Sequence, residues 1–289
     1  MKEFGEVLEK VDLSKYNSYG LKSSCEYLVY PNSIDDLICL IKYLEKEEIK
    51  YKIFGSCSNV ILPSAHFQGA LIKLDHLDNY EVGEDYIISE AGILLSELVN
   101  VLVSKGKGGF ELLGTIPGTL GGAIYGNAGI KDYSILDFIE YIEVIRNNEL
   151  IKLDKMEVTY SYRSSIFKNN SDIIVRAKLR VTDKDINEMR ESLRNLRMKR
   201  LESQPVEYKN AGSVFKNPKG LFAGELIDKC GLKGYNVKDA YVSEKHANFI
   251  INKGNATSDD IIKLIEIIKD KVKEEFNVDL ELEQIIVKW

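Results

Sequence analysis

No apolar run in the chain reaches the roughly 18 to 20 residues that a membrane helix needs. Acidic residues begin at Glu3, and no apolar signal segment follows them. These absences predict a cytoplasmic protein with no membrane partner. A basic block is missing too: both signs are interspersed along a chain of net charge -6. No footprint for nucleic acid is therefore expected, and any phosphate recognition must be local. The four cysteines, Cys25, Cys39, Cys57 and Cys230, form no CxxC pair, which predicts reduced thiols rather than a disulfide framework. His66, His76 and His246 are equally scattered, so no metal site is expected. Internal repeats and low-complexity tracts are absent as well.

What remains is ordinary globular material. With 289 residues and 44% hydrophobic content the chain can bury a large core, and ~100 to 200 residues per domain predicts two or three lobes. Residues 25–30 alternate as a strand, and Ser33 is placed to cap a helix whose Ile34, Leu37, Ile38, Ile41 and Leu44 share one face. A strand over 51–54 runs into Gly55-Ser56-Cys57-Ser58-Asn59, and an apolar run resumes at 60–62. That loop ends a β-α-β unit, a place where ligands bind. Strands are expected over 70–74, 86–89, 138–145, 149–153 and 173–181, with a helix over 94–103. The glycine-dense stretch from Gly106 to Gly129 is expected to be irregular, since each glycine costs a helix about 1 kcal/mol. A charged helix over 185–202 places Ile186, Met189, Leu193, Leu196 and Met198 at near-helical spacing. Beyond it the pattern predicts a helix over 222–229, strands over 240–242 and 249–251, a long helix capped near Thr257, and a last strand over 279–287.

Four clusters could carry chemistry. In Ile116-Pro117-Gly118-Thr119-Leu120-Gly121-Gly122-Ala123, followed by Asn127-Ala128-Gly129, successive glycines can turn backbone N–H groups toward an anion. The spacing matches neither a P-loop nor a Rossmann fingerprint, and a tight structural turn is the plainer explanation of this cluster taken alone. In Tyr160-Ser161-Tyr162-Arg163-Ser164-Ser165 the guanidinium suits a carboxylate, or is a surface arginine at a strand end. In Gly212-Ser213-Val214-Phe215-Lys216-Asn217-Pro218 an accessible hydroxyl precedes groups that could hold phosphate or carbonyl oxygens, though for this cluster in isolation a turn entering a strand is the better explanation. In Leu280-Glu281-Leu282-Glu283 alternation puts both carboxylates on one face. Two solvated carboxylates are the ordinary reading, while one turned into a cleft would have a raised pKa and could act as an acid.

Taken in order, together with Gly231-Leu232-Lys233-Gly234 and Lys245-His246-Ala247-Asn248-Phe249, these clusters resemble the UDP-N-acetylenolpyruvoylglucosamine reductase family over nearly the whole chain. The short segment between Tyr162 and Ser213 is similar to its compact subclass. The resemblance implies a three-lobed α+β fold: a two-part FAD-binding domain of the vanillyl-alcohol oxidase type, at 1–66 and 67–200, and a substrate-binding domain at 201–289 whose last strand returns to the active site. It implies FAD as cofactor, NADPH as co-substrate and a UDP-sugar as substrate; the sequence does not reveal the oligomeric state, for which a monomer is the default. Gly55, Ser58 and Asn59 would hold the flavin together with Pro117, Gly118, Thr119, Gly121 and Gly122, then Asn127, Ala128 and Gly129. Ser213 would be the proton donor, with Arg163 and Glu283 stabilising the enolate-like intermediate. Tyr162, Lys216, Asn217, Lys233, Lys245 and His246 would bind substrate.

Some flavin-side positions depart from the family pattern. Lys22 and Ser23 stand where paired glycines are usual, Ser56 and Cys57 fall in the usual Gly-x-Gly-Ser-Asn with Cys57 replacing its second glycine, and Lys131 lies in a changed segment after Gly129. A positive φ at Cys57 would add strain of about 1 to 3 kcal/mol. These departures keep a second reading open, a weakened or non-flavin paralogue that binds a nucleotide sugar or a cell-wall partner. A third, an oxidase sharing only the flavin fold, is opposed by the lack of a histidine in the loops.

Overall fold

The computed structural model describes residues 1–130 and 133–289, so Lys131 lies outside the described residues. The chain divides into two compact units, each assembled from separated stretches. The first comprises Met1–Glu9, Tyr27–Ser56 and Gln68–Arg197, and the second Lys10–Glu26, Cys57–Phe67 and Met198–Trp289.

One sheet, most of whose residues belong to the first unit, orders the strands Gly5–Asp12, Ser24–Pro31, His66–Lys73 and Tyr51–Phe54. The last two run parallel, with Tyr51 opposite Ala70 and Phe54 opposite Lys73. Parallel neighbours need a crossover, here residues 55–65, while α1 (Ile34–Lys46) joins Ser24–Pro31 to Tyr51–Phe54. Ser33 caps it as expected: its hydroxyl accepts from the Asp36 amide at 3.0 Å. Leu37, Leu40, Ile41 and Leu44 are buried in one core with Val29 and Ile72, each contributing about 1.5 to 3 kcal/mol of burial.

The second sheet of this unit is antiparallel throughout, ordered Glu149–Asp154, Ile139–Arg146, Ile173–Arg180, Tyr86–Glu90 and Tyr80–Val82. The helix α2 (Leu95–Ser104) buries Leu95, Leu98, Val99 and Leu102. One expectation fails here. The glycine-rich stretch does contain a helix, α3 (Leu120–Gly126), capped by Thr119. Packing overrides propensity: a Cβ on Gly121 would stand 2.9 Å from that of Ala91. The later helix α4 (Ile186–Ser203) buries only Met189 and Leu193, so the expected stripe stops there and Met198 is 50% exposed.

In the second unit, α5 (Ala223–Lys229) and α6 (Ser258–Phe276) share a core with a three-stranded antiparallel sheet of Asn236–Val237, Ala240–Val242 and Ile250–Asn252. Thr257 and Asp260 close a reciprocal capping box at the start of α6, as the sequence predicts. The expected last strand is far shorter than 279–287: only Ile285–Ile286 is regular, and it pairs in parallel with Val60–Ile61. Before it, Leu282 forms an isolated bridge with Phe215. Among the described residues no helix is long and apolar enough to cross a membrane.

Candidate active site

Within the first unit, the two expected cofactor loops touch. A Cβ built on Gly55 would lie 2.4 Å from the Thr119 hydroxyl, so only glycine permits this approach. The Thr119 hydroxyl in turn accepts from the Gly122 amide at 3.3 Å. The amides of Leu120 and Gly121 donate to Ile93 and Ala91 carbonyls at 2.9 and 2.8 Å. Those two N–H groups therefore cannot face an anion, which corrects the expectation for Gly121. The amides of Gly118 and Thr119 make no hydrogen bond to protein among the described residues. Nearby in sequence to Gly55, the Ser56 hydroxyl is buried and likewise lacks a protein partner. Buried polar groups are seldom left this way unless something else satisfies them, so this unit has the donors that a phosphate-bearing cofactor needs. Gly55→Ala should push Thr119 out of its capping position. The expected cost is about 1 to 3 kcal/mol, read as a lower unfolding midpoint together with reduced flavin content.

Asn127 is not an exposed ligand. It ends α3 in the left-handed region, is 3% exposed, and donates to the Ser161 carbonyl at 2.9 Å. Ala128 is bound through its main chain to Ala123 and Ile135, both at 2.8 Å. Asn127 thus fastens a two-residue hairpin in which Tyr160 pairs with Ser165 and Ser161 with Ser164. The Ser165 hydroxyl donates to the Tyr125 carbonyl at 2.7 Å, and the Tyr160 hydroxyl to Asp137 at 2.9 Å. At the hairpin tip sit Tyr162, 55% exposed, and Arg163, whose guanidinium carbon lies 5.4 Å from the Tyr162 ring centre. Arg163 has φ of 56°, a conformation that non-glycine residues hold at about 1 to 3 kcal/mol of strain, chiefly at functional sites. A Cβ on Gly129 would stand 3.2 Å from its Nη1.

In the second unit, Ser213 and Glu283 are brought together by main-chain bonds. The Glu283 amide donates to the Val214 carbonyl at 2.9 Å, one residue from Ser213, which itself bridges Phe249. The carbonyl of Glu283 accepts from Asn59 Nδ2 at 3.2 Å, and the Ile285 amide donates to the Asn59 carbonyl at 3.1 Å. Asn59 is therefore joined to the terminal segment. Glu281 behaves differently: its side chain is 73% exposed and forms an ion pair with Lys216. Of the two carboxylates that alternation placed on one face, that of Glu281 is taken up by Lys216, while the Glu283 main chain is bonded to Val214, next to Ser213. The expectation of positive φ holds at Cys57, buried with φ of 52°.

The expected substrate residues have partners of their own. Asn217 accepts from the Ala223 amide at 3.0 Å at the start of α5, and Lys233 pairs with Asp228 at 2.6 Å. Lys245 donates to the Leu201 carbonyl at 2.6 Å and lies 3.6 Å from Glu207. His246 packs against Phe249 and accepts from the Asn248 amide through Nδ1 at 3.2 Å. Burial holds its pKa below the ordinary histidine value, a backbone hydrogen bond opposes this, and the nearby Lys233 reinforces it, so the ring is neutral at pH 7 with Nε2–H as its remaining donor. Sequence reasoning missed Tyr19 and Gln284, whose side chains meet at 3.0 Å across 265 positions. No local signal marks such a pair. Among the described residues no group of His, Cys, Asp or Glu is arranged to hold a metal.

Comparison with known proteins identifies the family. The family described as UDP-N-acetylenolpyruvoylglucosamine reductase, C-terminal domain, matches residues 204–287, and an FAD binding domain matches residues 25–152. A protein of Caldanaerobacter subterraneus subsp. tengcongensis named UDP-N-acetylenolpyruvoylglucosamine reductase is 40% identical over 98% of this chain and 94% of its own length. A protein of the same name from Clostridium novyi is 38% identical over 98% of this chain and 92% of that protein. The crystal structure of UDP-N-acetylenolpyruvylglucosamine reductase from Thermus caldophilus superposes with a TM-score of 0.83 at 30% identity, over 99% of this chain and all of that one.

Proposed function

Because the chain belongs to the UDP-N-acetylenolpyruvoylglucosamine reductase family, whose members are FAD-dependent oxidoreductases, we propose that it reduces the enolpyruvyl ether of UDP-N-acetylglucosamine to UDP-N-acetylmuramate. NADPH is the electron donor in this reading, and the product is a precursor of peptidoglycan. FAD, when bound, supplies the hydride that is added to the terminal alkene carbon. Gly55, Gly118, Thr119 and the Ser56 hydroxyl are the residues we assign to hold it.

The reacting residues are assigned as follows. Arg163 neutralises the substrate carboxylate as negative charge develops there. Ser213 gives its hydroxyl proton to the alkene carbon beside that carboxylate, and a protonated Glu283 donates to the enolate-like oxygen. The observation that supports this reading is the bond from the Glu283 amide to the Val214 carbonyl at 2.9 Å, which holds the Glu283 main chain next to the Ser213 segment. In the substrate's remainder, Tyr162, Lys216, Lys233 and the Nε2–H of His246 are the groups we assign to the sugar and diphosphate, while Asn217 and Lys245 act through the backbone they hold.

Steady-state assay of the flavin-loaded protein tests the proposal: NADPH consumption should depend on the enolpyruvyl UDP-sugar, with UDP-N-acetylmuramate formed mole for mole. Consumption that ignores the UDP-sugar would contradict it. Cys57 allows a separate check. Its left-handed backbone and added side chain weaken flavin binding in this reading, so Cys57→Gly should tighten FAD binding by roughly tenfold, about 1.4 kcal/mol, in a fluorescence titration of the apoprotein. Unchanged or weaker binding would remove Cys57 from the flavin loop's energetics.

A further inference from the structure

The side chain of Gln284 is buried, 3% exposed, and two of its three bonds lead to the segment that carries Ser213. Its Nε2 donates to the Ala211 carbonyl at 3.0 Å and to the Gly212 carbonyl at 3.2 Å. Its Oε1 accepts from the Tyr19 hydroxyl at 3.0 Å. Two carbonyls can only accept, so the amide nitrogen must face them, the amide oxygen must face Tyr19, and Tyr19 must be the donor. The carboxamide has one orientation that satisfies every atom. Tyr19 is fully buried, and burial raises its pKa well above the ordinary tyrosine value although the bond to Gln284 pulls the other way, so it remains a donor. The Tyr19 carbonyl is fixed in turn by Asn252 Nδ2 at 2.8 Å.

Main chain and side chain of one terminal segment therefore grip both sides of Ser213. Residues 211 and 212 hang from the Gln284 carboxamide, while Val214 accepts from the Glu283 amide at 2.9 Å and the Gln284 amide at 3.4 Å. Between them, Gly212 has φ of 77° and open space where a Cβ would stand, so the hinge before Ser213 has no side chain of its own to hold it. From this we infer that Gln284 is a positioning residue for the reduction, setting the Ser213 hydroxyl relative to Glu283, with Tyr19 locking the orientation of its carboxamide. The inference rests on the assignment of Ser213 as proton donor. It predicts that loosening this grip slows protonation of the substrate and leaves reduction of the flavin by NADPH untouched.

The test is anaerobic rapid mixing of the full-length, flavin-loaded protein, measuring flavin reduction by NADPH and reoxidation by the enolpyruvyl UDP-sugar separately. Gln284→Met keeps the volume and removes all three bonds. It should slow reoxidation on the order of tenfold to a hundredfold, as small misplacements of reacting groups do, and enlarge the solvent deuterium isotope effect on that step, while reduction stays within about twofold. Tyr19→Phe removes one bond and should act in the same direction by a few fold; it decides the matter alone if Gln284→Met does not retain flavin. Equal slowing of both half-reactions, or slowing of neither, overturns the inference. Ser213→Ala separates it from its premise: a Ser213→Ala that blocks reoxidation beside a Gln284→Met that does not refutes the positioning role only, whereas a Ser213→Ala with normal reoxidation refutes the proton-donor assignment.

Discussion

Replacing Ser213 by alanine should lower turnover by about 10² to 10⁴-fold, the range over which a placed proton donor contributes, with flavin reduction by NADPH unchanged. The substitution removes one hydroxyl and little else. The backbone around it is held independently: the Val214 amide donates to the Asn248 carbonyl at 2.9 Å, the Phe215 amide to Asn248 Oδ1 at 3.0 Å, and Asn248 Nδ2 returns a bond to the Phe215 carbonyl at 2.8 Å. A fold held by three such bonds has no reason to open on loss of an Oγ, so the unfolding midpoint should stay near that of the parent. The loss should fall on kcat, because the proton is transferred only in the transition state while the ground-state contacts remain. Steady-state kinetics with thermal denaturation of the same sample checks both halves. A normal kcat would remove Ser213 from the chemistry.

Arg163→Gly is the second large effect, and here activity and stability should move in opposite directions. Arg163 holds φ of 56° at a two-residue hairpin tip, where glycine is the residue of least strain. The hairpin itself is fastened elsewhere, through Asn127 to the Ser161 carbonyl and through Ser165 to the Tyr125 carbonyl. Removing the side chain should therefore leave the unfolding free energy unchanged or raise it by up to about 1 kcal/mol, while kcat/KM falls by about 10² to 10³-fold, roughly 3 to 4 kcal/mol. Arg163→Lys should recover only part of the loss, since an ammonium cannot match the planar fork to a carboxylate. A variant that loses stability as much as activity would show that the residue serves the hairpin rather than the substrate.

How much of this was legible in the sequence depends on whether the signal is local. The helix from Ser258 to Phe276 announced itself through Thr257 and its apolar spacing, and the capping box with Asp260 is present. The strand Gly5–Asp12 gave no such warning: its pattern of half-buried and exposed positions lacks a clean period of two. The helix at Leu120–Gly126 was hidden by glycines that are demanded from outside, by Ala91 against Gly121. At the site, motif order singled out Arg163, Ser213 and Glu283, yet alternation alone could not separate Glu283 from Glu281. The pairing of Glu281 with Lys216 is a tertiary fact. The same holds for Lys245 on the Leu201 carbonyl and for Tyr19 on Gln284, where each partner is an unremarkable residue until the chain has folded.

One anaerobic mixing experiment tests the proposed reaction directly. The purified protein, loaded with FAD and reduced by one equivalent of NADPH, is mixed with the enolpyruvyl UDP-sugar while the flavin absorbance is followed. The oxidised flavin bands should return at a rate at least equal to kcat, one flavin per UDP-sugar reduced. Flavin that stays reduced in the presence of the UDP-sugar, in a protein that binds FAD and accepts electrons from NADPH, would contradict the proposed reaction.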